Sequence, residues 1–231
     1  MSVEMLRLRL HRSELTYEVA LAPPLAAVID TPGKFVSALI REFDNLNVVL
    51  SDFGLDDDGP LEDQGLSCEV DKFDANILLR ADRFEISFLG TEDTREASAE
   101  IVRGMWQVIA SISPEVTPKS HSLLYEMDCE LIAGSYRAAL EQFCKPHDGL
   151  PKGTETAIAY YLPRDSSRGF LDSSVVLNRS AEVGGGILLA ATLVFDGERL
   201  SRDGAVQEGQ ERLNELLRSL DIALQDSEAG S

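Results

Sequence analysis

LRLRLHRSELTYEVAL, Leu6 to Leu21, carries the clearest periodicity near the start of the chain. Leucines alternate with Arg7 and Arg9 as far as Leu10, and the alternation resumes at Leu15, Tyr17, Val19 and Leu21. A period of two sends alternate side chains to one face, which marks a half-buried strand. Pro23 and Pro24 end it, since neither can donate a ladder hydrogen bond. Next comes Thr31-Pro32, which has the form of a helix start: a hydroxyl able to accept from an orphan N–H, then a ring whose φ is already helical. Phe35, Val36, Leu39, Ile40 and Phe43 lay an apolar stripe along that short helix.

Strand-like runs follow at Asn47 to Phe53, Ser67 to Lys72, Ala75 to Ala81 and Arg83 to Leu89, separated by turn-favouring Gly, Asp and Asn. A long helix is expected from Thr94 to Ile112, with Ala97, Ile101, Met105, Val108 and Ile112 as its stripe and Pro114 and Pro118 beyond its end. LLYEMDCEL, Leu123 to Leu131, then repeats the opening theme. After Gly134 comes a helix bearing Tyr136, Ala139, Leu140 and Phe143, then strands at Thr156 to Leu162, Ser173 to Asn178 and Gly185 to Phe195. A last helix, Asp203 to Leu224, carries Val206, Leu213, Leu216, Leu220 and Leu224.

These elements predict an α+β protein with antiparallel sheet, because the short connections leave no room for parallel crossovers. The order reads as two β-α-β-β-β-α halves, 1–117 and 118–226, with a frayed tail from Ser227 to Ser231. The halves either share one sheet or face each other across a cleft. Order is what they share; residue identity is slight, with Ala38-Leu39 and Phe43 set against Ala139-Leu140 and Phe143.

Composition narrows the function classes. With 231 residues, 44% of them hydrophobic, the chain can bury a real core. No apolar run approaches the ~20 residues a membrane helix needs, and Glu4, Arg7 and Arg9 interrupt the first apolar stretch, which argues against a signal segment. Cys68, Cys129 and Cys144 are an odd number without metal spacing and suit a reducing cytoplasm. Forty acidic residues against 21 basic ones give a net charge of -19. Such a surface repels nucleic acid and anionic lipid and is compatible with a basic protein partner.

Assembled chemistry is scarce. The acidic segment Asp56, Asp57, Asp58, Glu62 and Asp63 fails as a calcium loop: with Gly59 at the sixth position, Gly54 and Gly65 occupy the first and twelfth, where carboxylates belong. Asp52-Phe53-Gly54 matches a kinase tripeptide without the kinase's other motifs. Glu126, Asp128 and Glu130 share one strand face, about 7 Å apart. They could gather a cation, or form a wet face opposite Tyr125, Met127 and Cys129, with Arg7 and Arg9 as cross-strand partners. His11, His121 and His147 stand alone in expected turns or loops, and no serine or cysteine sits in a nucleophile motif. Gly184 to Gly186 reads as a hairpin turn or bulge.

The expectation is therefore a non-catalytic, acidic, cytoplasmic interaction protein of the inhibitor, immunity or assembly-factor type. It would use Asp56, Asp57, Asp58, Glu62, Asp63, Glu126, Asp128 and Glu130 toward a partner of basic character, with no cofactor or metal. The alternative is an enzyme or small-molecule binder with its site in a cleft between the halves.

Overall fold

The two alternating runs of the opening stretch belong to one 17-residue strand, β1 (Leu6–Ala22). Leu6, Leu8 and Leu10 are buried, and so are Leu15, Tyr17, Val19 and Leu21, although the runs differ in parity. A β-bulge reconciles them. Leu10 pairs with Cys129 and Arg12 with the next partner residue, Asp128, so His11 is an extra residue and both runs reach the same face.

The computed structural model describes residues 5–56, 59–61, 63–89, 94–143, 156–164, 170–197 and 204–225, without the side chains of 94–97 and 170. Asp57, Asp58, Glu62, Cys144, His147, Asp203 and Ser227 to Ser231 therefore lie outside the described residues, as does the side chain of Ala97. After β1 come α1 (Ala27–Asp30) and α2 (Pro32–Glu42), then β2 (Phe53–Asp56), β3 (Gly65–Val70), β4 (Ala75–Arg80), β5 (Arg83–Leu89) and α3 (Thr94–Ile112). The chain continues through β6 (Thr117–Leu131), α4 (Tyr136–Glu141), β7 (Ile158–Leu162), β8 (Phe170–Arg179), β9 (Ile187–Asp196), α5 (Ala205–Ser219) and β10 (Ile222–Gln225).

All ten described strands form one sheet in the order β2-β3-β4-β5-β1-β6-β9-β8-β7, with β10 also beside β1. The halves thus share a sheet, joined by the long antiparallel β1–β6 ladder. Outward from that seam the order is β5-β4-β3-β2 on one side and β9-β8-β7 on the other. A shared order does not establish duplication, and the halves differ: α2 has 11 residues against six in α4, and β2 has no described counterpart.

The helices pack on one face of the sheet. Trp106 of α3 meets Phe84 of β5 edge-on at 5.3 Å between ring centroids. Gly209 lets α5 come close to Leu123 and Tyr125, since a Cβ there would lie 2.9 Å from the Leu123 methyls. Gly104 in α3 faces the Phe43 ring, which fills the space a side chain would need.

Several elements depart from the sequence reading. Asn47 to Phe53 is not a strand: Asn47 is left-handed (φ 60°), and Leu50–Asp52 forms a 3-10 turn in which the Asp52 carboxylate accepts the Val49 N–H at 2.8 Å. That side-chain bond competes with ladder pairing, so strand begins only at Phe53. Thr31 precedes α2 as expected, with Pro32 in its first turn, but its hydroxyl donates to the Ala27 carbonyl rather than capping α2. The last helix stops at Ser219. Asp221 turns left-handed (φ 54°), and Ile222 to Gln225 pair with Leu6 to Arg9 in parallel, the one parallel pairing among the described strands. Leu224 fits both a three-and-four spacing and a period of two, and the free ladder edge of β1 decides between them. The buried side of α5 is Val206, Gly209, Leu213 and Leu217, with Leu216 and Leu220 only partly buried.

Candidate functional site

The face of the sheet opposite the helices carries no helix among the described residues, and its side chains are half-buried or exposed. Register places three neighbouring strands of it in detail. Glu85 on β5 stands opposite Glu18 on β1, and Glu14 on β1 stands opposite Glu126 on β6. Directly opposed residues have Cβ atoms about 5 Å apart, so each pair sets like charges against each other, which costs stability.

Arg83 relieves this only in part, with Nε 3.8 Å from the Glu18 carboxylate and Nη1 3.1 Å from Asp82. Burial pushes the Glu18 carboxyl above its ordinary range; Arg83 opposes this, and Glu85 and Asp82 add to it. A band of carboxylates therefore crosses the centre of a face that none of the described helices covers. Toward β7 the same face loses charge: Leu124, Ala190, Thr192, Val194, Val176 and Ala159 follow across β6, β9, β8 and β7 by register. Tyr161 on β7, 82% exposed, closes the row.

The expected site residues are dispersed. Glu126, Asp128 and Glu130 do share the open face of β6, but Asp128 accepts the Ser180 hydroxyl at 2.6 Å and Glu130 pairs with Arg9 at 3.3 Å. The Ser180 oxygen in turn accepts the Glu182 and Val183 amides at 3.1 and 2.8 Å, so Asp128 anchors the β8–β9 turn. In that turn Gly185 has φ +75°. Asp56 and Asp63 lie at the far β2–β3 end, about 24 Å from β6 at five strand spacings. Asp63 has Arg80 at 3.9 Å. Among the described residues no three His, Cys, Asp or Glu side chains converge as a metal ion would need.

Glu14, Glu18 and Glu85 were missed from the sequence. Each looks like an ordinary polar residue in an alternating strand, and only the pairing register turns them into opposed charges.

The histidines also require correction. His11 is the bulged residue of β1, exposed, and His121 is a fully buried core residue of β6 rather than a loop residue. Its Nδ1 lies 2.7 Å from the Tyr17 hydroxyl, with the rings stacked at 5.9 Å. Burial pushes the His121 pKa down to about 4, weakly opposed by the Gly197 backbone, although Nε2 lacks a hydrogen bond of ordinary geometry. The imidazole is thus neutral near pH 7 and sealed from solvent, a core group rather than an accessible base. Cys68 and Cys129 are buried free thiols whose pKa burial pushes up to about 12, so neither is a ready nucleophile. No described helix is long and apolar enough to cross a membrane. Neither a protein-family model nor a curated protein sequence matches the chain.

Proposed function

We propose that this chain is a non-catalytic binding protein of the inhibitor, immunity or assembly-factor type, and that it holds a basic protein partner on the open face of its sheet. The observation that carries this reading is the two pairs of opposed carboxylates, Glu85 with Glu18 and Glu14 with Glu126, on a face that none of the described helices covers. An arrangement that costs the free protein stability and would be relieved by lysine or arginine from outside is characteristic of a functional surface. The uncharged flank from Leu124 to Tyr161 supplies apolar area beside the charge, as the core of an interface requires. Buried free thiols at Cys68 and Cys129 suit a reducing compartment, in keeping with a cytoplasmic site of action.

The test is capture from native lysate by the wild-type protein and by a Glu14→Gln, Glu18→Gln, Glu85→Gln, Glu126→Gln variant. A partner of high isoelectric point should be retained by the first and lost by the second, in a salt-dependent manner. Equal capture by both, or an acidic partner, refutes the reading.

A further inference from the structure

Half of the large hydrophobic side chains exposed among the described residues fall in one short span of chain, 49–61, that contains the edge strand β2. They are Val49 (52%), Leu50 (70%), Leu55 (55%) and Leu61 (65%), all within or beside β2, and the other four are scattered. β2 ends the strand order and pairs only with β3 among the described residues, so its outer row of N–H and C=O groups faces no strand. Natural sheets blunt such edges because an unpaired ladder beside apolar side chains recruits another chain. Here the apolar side chains are left in place, and the strand ends in the exposed Asp56, while Asp52 already accepts the Val49 N–H and Asp63 faces Arg80.

We propose that the outer edge of β2 is a strand-addition site for an extended segment of a partner in which apolar residues alternate with lysine or arginine. Backbone pairing to Phe53–Asp56 would supply affinity without sequence preference. One face of the added strand would meet Leu55, and a cation on its other face would meet Asp56, the next residue of β2. A second copy of this chain fits poorly, because two such edges would bring acidic groups together on molecules that each carry a net charge of -19. The site is distinct from the open face and stands without it.

The probe is a labelled, acetylated and amidated eight-residue peptide of alternating lysine and valine, followed by fluorescence anisotropy and by amide hydrogen exchange of the full chain. Binding should slow exchange at Phe53–Asp56. N-methylation of the four central peptide residues, which keeps the charge but removes the ladder donors, should weaken binding by about tenfold or more. Leu55→Ser, at an exposed position that leaves the core intact, should weaken it as well. The open-face variant Glu14→Gln, Glu126→Gln should bind like the wild type, which separates failure here from failure of the open-face reading. No binding, equal binding of the methylated peptide, or protection confined to the open face overturns the proposal.

Discussion

Replacing His121 with glutamine should remove an acid-sensitive component of stability, and its size follows from where the ring sits. The imidazole is fully buried beside Tyr17, and its pKa is pushed down to about 4 from an ordinary 6.5. Above pH 6.5 neither the folded nor the unfolded chain protonates this group, so it adds no pH dependence. Between pH 6.5 and 4 the unfolded chain takes up the proton and the folded one does not, so folding loses ground as the pH falls. A shift of this size corresponds to about 3 kcal/mol, fully lost by about pH 4. That is a sizeable part of a typical domain's roughly 5–15 kcal/mol. Trp106, the single tryptophan, is buried against Phe84 and reports unfolding by its fluorescence. Urea titrations of wild type and His121→Gln at pH 7, 5.5 and 4 isolate the effect, because the carboxylates titrate alike in both and glutamine carries no titrating group. The wild type should lose about 3 kcal/mol relative to the variant across that range. A gap that stays constant from pH 7 to 4 would show that the ring is protonated in the folded protein and that the burial argument is wrong.

Other substitutions separate core from surface. Met105→Ala should cost about 2–5 kcal/mol in chemical denaturation, because Met105 is fully buried on α3, whereas Leu216→Ala should cost less than Leu213→Ala, since of these two α5 leucines Leu213 is fully buried and Leu216 only partly. Gly104→Ala should destabilise by about 1–3 kcal/mol, because its methyl would overlap the Phe43 ring. Glu126→Gln should raise stability by about 0.2–1 kcal/mol at low salt by removing its repulsion with Glu14, and that gain should fade as salt is added. At neutral pH the thiols of Cys68 and Cys129 should resist a disulfide reagent until urea unfolds the chain.

The fold was legible wherever one physical requirement governed a segment. Arg83 to Leu89 and Thr94 to Ile112 are found with the expected bounds, because each buries one face with a single clear period and has turn residues or proline beyond. Reading faltered where two requirements compete. In Asn47 to Asp52, apolar residues suggest strand, but a left-handed Asn47 and the Asp52 side chain satisfy the backbone locally. From Leu220 to Leu224 one spacing serves helix and strand alike. The bulge at His11 leaves its trace as a change of parity between Leu10 and Leu15, yet only the partner strand shows that both runs face the same core.

The candidate site was less legible for a deeper reason. Sequence shows how densely charge is packed along the chain, so it draws attention to the acidic segment Asp56 to Asp63 and to the triplet on β6. Energy depends instead on which charges meet across strands, and strand pairing joins residues more than a hundred positions apart, as with Glu14 and Glu126. The triplet proves partly committed, Asp128 to Ser180 and Glu130 to Arg9, and so are Glu18, to Arg83 at 3.8 Å, and Glu85, to the Ser87 hydroxyl at 3.4 Å, which leaves Glu14 and Glu126 as the opposed pair that holds neither kind of group among the described residues. A carboxylate that already holds a hydroxyl or a guanidinium gains little from a partner's cation. One facing another carboxylate gains the attraction and sheds the repulsion together, so the basic partner proposed above should derive more of its affinity from Glu14 and Glu126 than from the denser acidic loop.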